Sequence, residues 1–177
     1  MGTRLTDKTA LEEQLAKDDL LMIVDVSDTT GSAEGTSKKI EAQYVTTTDK
    51  VSLTNLQVKA LDTAPITLVP FKTGYMITPI SVTVLCTYAS PDELTRKDLL
   101  FGFDESSDTQ FWGRVDSAMD TLSADATYVV QAQGSPRSPS CDGSIEDKNF
   151  KVWAEGTGFA GGWSCDIYFT YAYTKII

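Results

Sequence analysis

Between Tyr75 and Tyr88 the chain reads YMITPISVTVLCTY, and no other run constrains the fold as much. Ile80, Val82, Val84 and Cys86 fall on one side of an extended chain, and Ser81, Thr83, Leu85 and Thr87 fall on the other. That is the period of two expected of a half-buried strand. Pro79 has no backbone donor, so it places a bulge or an edge near the start of the strand. A strand of this length cannot bury its apolar side alone, and the segments around it decide what covers it. Residues 57–61, 66–71, 98–103, 127–133, 150–155 and 163–176 all have strand character. Gly74, the Pro/Gly/Ser stretch 134–147 and the four glycines of GTGFAGG at 156–162 punctuate them. Residues 117–123 read as a helical turn or a loop, and Thr109–Gly113 as a loop. Long helical periodicity is absent. The expectation is a mainly β chain: an antiparallel β-sandwich of jelly-roll or Greek-key type over residues 56–177.

The first 50 residues read differently. Thr9 and Glu12 form a capping box that opens a short helix to about Lys17, with Leu11 and Leu15 on one face. LLMIVDV at 20–26 is an apolar strand, 27–35 a polar loop, and 36–40 a second strand that continues as the alternation Ile40, Ala42, Tyr44. A helix plus a two-stranded hairpin is too small to be stable alone. Leu20, Met22, Val24 and Ile40 therefore need a partner to cover them, and the module (1–50) reads as an anchor. TTTDKVSLTN at 46–55 is polar, and 51–55 reads as the linker to the sandwich.

Charge narrows the partners. The chain has 15 basic and 25 acidic residues, a formal net charge of −10, and the excess is spread over both parts. No basic patch stands out, so nucleic acid is not an expected partner. An anionic membrane surface would repel the chain, and no apolar run approaches the length of a bilayer span. The opening residues are polar and charged, unlike a secretory signal.

The chemistry of catalysis is thinly represented. There is no histidine, which removes Ser-His-Asp and Cys-His mechanisms and the commonest metal ligand. Cys86, Cys141 and Cys165 lack zinc-site spacing; Cys86 and Cys165 read as small buried hydrophobes, Cys141 as a surface thiol. Asp98, Asp104, Glu155 and Asp166 are candidates for a paired-carboxylate hydrolase, but acidic residues are plentiful and spacing does not bring any two together. Asp104–Asp108 (DESSD) lacks the glycine and terminal glutamate of a Ca²⁺ loop and reads as a solvated loop. The expectation is a protein with no catalytic residues, no metal and no cofactor. Aromatic residues leave two readings open. Trp112 and Tyr128 could stack on sugar rings, and Tyr168, Tyr171 and Tyr173 could fill a core or a subunit interface.

LLMIVDVSD, a Thr/Gly/Ser/Glu turn and GTSKKIEAQYV, in that order, resemble the N-terminal attachment region of bacteriophage fibre and other virion appendage proteins. The match covers Leu5 to about Leu56, roughly 30% of the chain. Leu68–Phe71, Gly74–Ile77, Pro79–Val82 and the Tyr-rich end at Tyr171–Ile177 are similar to phage β-sandwich domains. The resemblance implies a homotrimeric virion protein assembled in the host cytoplasm: a short head fibre, decoration protein or tail fibre. Leu11, Leu15, Leu20, Met22, Val24, Ile40 and Tyr44 would dock on capsid or tail proteins, and Tyr168, Tyr171 and Tyr173 would face neighbouring copies. A host-surface glycan is the alternative partner, through Trp112 and Tyr128.

Overall fold

The computed structural model describes residues 20–31, 33, 35–41, 46–103, 111–131, 145 and 147–175. The chain divides into two compact units, Met1–Val45 and Thr46–Ile177. In the first, β1 (Leu20–Asp25) and β2 (Thr36–Glu41) pair antiparallel, with Met22 opposite Lys39 and Val24 opposite Ser37. The expected helix at 9–17 lies outside the described residues.

Among its described residues the second unit carries eight strands in two antiparallel four-stranded sheets. They are β3 (Thr47–Leu53), β4 (Ile66–Val69), β5 (Tyr75–Thr87), β6 (Leu99–Gly102), β7 (Phe111–Val115), β8 (Ala126–Val130), β9 (Phe150–Ala154) and β10 (Ser164–Lys175). One sheet has the order β3-β10-β5-β8 and the other β4-β9-β6-β7. Read from the middle of the chain outward, β6 pairs with β7, β5 with β8, β4 with β9 and β3 with β10. A long hairpin folded over on itself gives this nesting, and it is the jelly-roll arrangement of a β-sandwich.

Alternation along the strands builds the core. In β10, Cys165, Ile167, Phe169 and Tyr171 are buried while Ser164, Asp166, Tyr168 and Thr170 are half-buried on the outer face. Phe169 stacks across the sandwich on Phe150 of β9, with centroids 4.5 Å apart. Phe103 and Trp112 meet Phe150 edge-on, and Tyr171 stacks on Phe169. Pairs in these geometries contribute about 0.5–1.5 kcal/mol each beyond their buried area.

β5 bulges where Pro79 placed it. Thr170 pairs with Ser81 but Tyr171 pairs with Pro79, so Ile80 is the extra residue. One extra residue reverses the alternation. Ile77 is buried before the bulge and Val82, Val84 and Cys86 after it, while Ile80 is 45% exposed. Ile80 was expected on the core side; the bulge turns it out.

Three further expectations fail. Residues 51–55 are not a linker: β3 is an edge strand of the sandwich, so the anchor does not extend to residue 50. Residues 57–61 are not a strand: a capping box between Thr54 and Gln57 opens a short helix, α1 (Asn55–Lys59), which buries Val58. Thr109–Gly113 is not all loop, because Phe111–Val115 is β7. Its Gly113 faces β8 so closely that a Cβ there would lie 2.7 Å from Val130 Cγ1.

The connections 54–65, 88–98, 116–125 and 155–163 emerge at the same end of the sandwich and are cross-linked. Thr121 N donates to Glu93 O (2.8 Å), Gly162 N to Pro91 O (2.8 Å), Ala118 N to Lys97 O (2.7 Å) and Ala154 N to Leu61 O (3.2 Å). Asn55 Nδ2 donates to the carbonyls of Gly161 (2.9 Å) and Trp163 (2.8 Å).

Candidate functional site

The hairpin singled out by the sequence is held by its own charges. The Asp25 carboxylate accepts hydrogen bonds from Ser27 N (3.0 Å), Ser27 Oγ (2.6 Å) and Lys38 Nζ (2.8 Å). Asp28 accepts from Thr30 N (3.0 Å) and Thr30 Oγ1 (2.7 Å), and lies 2.9 Å from the same ammonium. Lys38, followed by Ser27, holds Asp25 well below the usual carboxylate range. Thr30, followed by Lys38, lowers Asp28 to about 2, and Asp25 and then Asp28 raise Lys38. Gly35 has φ +117°, and a Cβ there would meet Asp25 O and Val24 Cγ1, each at 2.8 Å, so the turn requires glycine. The Asp-Val-Ser-Asp and Gly-Thr-Ser-Lys-Lys words are therefore the two halves of one turn.

The strands beside this turn are uncovered. Met22 is 70% exposed, Val24 57% and Val26 76%. A depression of about 290 Å³ is lined by Leu21, Met22, Ser37, Lys38 and Lys39. Among the described residues β1 and β2 pair only with each other, leaving both outer edges open. Leu11, Leu15 and Tyr44 lie outside the described residues, as do the side chains of Leu20 and Ile40.

The sandwich places the other candidates apart. Trp112 is only 8% exposed and packs on Phe150, so it is a core residue and not a sugar platform. Tyr128 is half-buried, and its hydroxyl accepts from Met119 N (2.9 Å). Tyr171 is 7% exposed, stacks on Phe169 and donates its hydroxyl to Asp49 (2.8 Å), so its ring is used inside its own sandwich rather than offered to a neighbour. Burial, and then the bond to Asp49, push the Tyr171 phenol up. Tyr173 is half-buried with its hydroxyl on Pro70 O (2.8 Å).

Tyr168 alone of the three stands on the outer face of its sheet. Lys50 Nζ sits 5.6 Å from its ring centroid and 2.7 Å from Asp166, which also accepts from Ser52 Oγ (2.6 Å). Next to it Ser52, Thr54, Thr87, Ser164 and Asp166 line a shallow depression of about 230 Å³.

The carboxylates are dispersed. Asp98 accepts from Ser117 N (2.8 Å) and faces Arg114 (3.7 Å). Glu155 is exposed next to it, joined through the backbone by Glu155 N to Asp98 O (3.0 Å). Asp166 is on the other sheet. Asp104, the DESSD segment and Cys141 lie outside the described residues. Among the described residues no three acidic or thiol groups converge on one point that could hold a metal ion.

Sequence reasoning missed the one fully buried charge among the described residues. Glu93 has no exposed surface and accepts from Ala160 N (2.7 Å), Gly161 N (2.8 Å) and Thr95 N (3.2 Å), and from the Thr95 hydroxyl. It ties 88–98 to 155–163. The signal available was an acidic residue five positions after Tyr88, in a segment with no apolar pattern, and nothing in that distinguishes it from a surface carboxylate. Three exposed leucines surround the same end of the sandwich: Leu56 (79%), Leu94 (78%) and Leu122 (38%).

No family model matches this chain, and no curated protein matches it.

Proposed function

We propose that the chain is a structural protein of a bacteriophage particle: a homotrimeric head fibre or decoration protein that docks through its first unit and projects the β-sandwich. One observation carries this reading. A two-stranded hairpin with a rigidly tied turn leaves Met22, Val24 and Val26 in water, and a hairpin of that size is not stable without a covering surface. The order of words across 20–45 resembles virion attachment regions, and the jelly roll is an architecture common in viral coat proteins. That second point is analogy at the level of fold. Docking covers the hairpin, and copies packed about an axis share what one copy lacks.

The experiment is incorporation. Full-length chain and a variant lacking residues 1–45 are supplied to assembling particles, and purified particles are probed for each. The full chain is recovered and the truncated one is not. Equal recovery of both ends this reading. Light scattering on the purified full chain measures the trimer, and a monomer at micromolar concentration counts against it.

A second reading, a receptor- or glycan-binding module, is favoured by the outer face of β3-β10-β5-β8. There Tyr168 stands beside Lys50, Asp166 and a hydroxyl-lined depression. Sugar recognition uses such a mixture of aromatic and polar groups. A glycan array probed with residues 46–177 and with Tyr168→Ala separates it from a purely structural role.

A further inference from the structure

Cys86 of β5 and Cys165 of β10 are direct cross-strand partners in the middle pair of strands of their sheet. Both side chains point into the core, at 2% and 5% exposure, with their sulfurs 3.2 Å apart. Directly opposed residues of an antiparallel pair have Cα atoms about 4.5–5.5 Å apart, inside the range a disulfide spans. The sulfurs have only about 1 Å to close before reaching bonding distance.

We infer that Cys86 and Cys165 are a disulfide-forming site, closed by exchange with a small-molecule disulfide when the protein folds in, or passes to, an oxidising medium. One cysteine thiolate attacks the small disulfide, forming a mixed disulfide and releasing one thiol. The second cysteine then attacks the protein sulfur of that mixed disulfide and releases the other. Two electrons pass from the cysteine pair to the oxidant, and the two thiol protons leave on its reduced halves. The cross-link joins β5 to β10 where both strands run into the cross-linked loops, and it encloses the segment between them. In the folded protein the contact with Cys86, and then burial, hold the Cys165 thiol high and protonated. Exchange is therefore slow once the core has formed and fast before it closes.

The test uses the full chain carrying Cys141→Ser, so that only this pair can react. Protein is unfolded, refolded in a mixture of reduced and oxidised glutathione, then denatured and alkylated for intact mass. The same assay is run on protein produced in an oxidising compartment and never unfolded. The expected product takes up no alkylating agent, is lighter by two hydrogen atoms, and yields a linked peptide containing Cys86 and Cys165. Its melting temperature lies roughly 10 °C above that of the reduced form and returns on reduction. Two alkylated cysteines in both preparations overturn the assignment. So does glutathione left on one sulfur, or a linked form no more stable than the reduced one.

Discussion

Glu93 is a carboxylate with no contact with water whose hydrogen-bond partners among the described residues are all donors. Replacing it with glutamine turns an amide N–H₂ toward one pair of those donors whichever way the amide is oriented. We expect Glu93→Gln to cost roughly 2–3 kcal/mol, the scale of hydrogen bonds to a charged group, read as a lower urea midpoint at unchanged slope. Burial raises the pKa of Glu93, but the Thr95, Gly161 and Ala160 bonds together outweigh it and the net shift is downward from 4.5. A carboxyl lowered on folding stabilises the protein above its unfolded value, and that contribution is lost as the pH falls through the folded one. The melting gap between wild type and Glu93→Gln should therefore narrow from about pH 5 toward pH 3. A gap that stays constant across that range would mean that folding does not lower the pKa of Glu93. The neighbouring strip has its own strain. Ser117, Met119 and Thr121 all have positive φ without being glycine. They are held there by Lys97, Asp98, Glu93 and Tyr128 through hydrogen bonds to the strip.

At the level of elements, the bulge in β5 makes a sharp test. Val82 is fully buried and Ile80 nearly half-exposed, although both are β-branched and two positions apart in one strand. Val82→Thr should cost about 1–3 kcal/mol by burying a hydroxyl, whereas Ile80→Thr should stay below about 1 kcal/mol. Comparable losses measured by denaturant unfolding would place the bulge elsewhere. The same strand shows what could be read in advance. Where one face is apolar and the other mainly polar, as in β5 and β10, the period of two located the strands to within a few residues. It failed at β3, an edge strand whose outer residues Thr48, Lys50 and Ser52 belong to a mixed polar face, leaving Val51 and Leu53 as the apolar signal. It failed at 57–61 because alternation over five residues cannot outvote a capping box, and Thr54 with Gln57 was in plain view. It failed at Trp112 because Gly113 reads as a turn residue, yet here it is the space that lets β7 approach Val130. The fold class survived these errors. The candidate site fared less well, because whether an aromatic ring faces a sugar or a phenylalanine depends on register, which composition does not carry. In the first unit, Val24→Asp should abolish incorporation into particles while leaving the melting of the sandwich unchanged, since Val24 is exposed on a hairpin outside the sandwich unit. Retained incorporation would remove Val24 from the docking surface.

For the whole molecule, the division at Val45 predicts that residues 46–177 fold alone. That fragment contains all eight sandwich strands and the aromatic core, and should melt in one cooperative transition. Starting it at residue 51, where composition alone would have cut, removes most of β3 and should lower the melting temperature sharply. Equal melting of the two fragments would show that β3 contributes little. The nested pairing has a further consequence. Thr47, where the chain enters the sandwich, lies beside Tyr171, while Leu53 lies beside Cys165 at the other end. The sandwich thus has two poles: the chain is threaded in at one, and the four cross-linked connections with their exposed leucines crown the other. A library randomised at Leu56, Leu94 and Leu122 would vary the crown without altering the point of entry, which makes this fold a natural pedestal for displaying peptides.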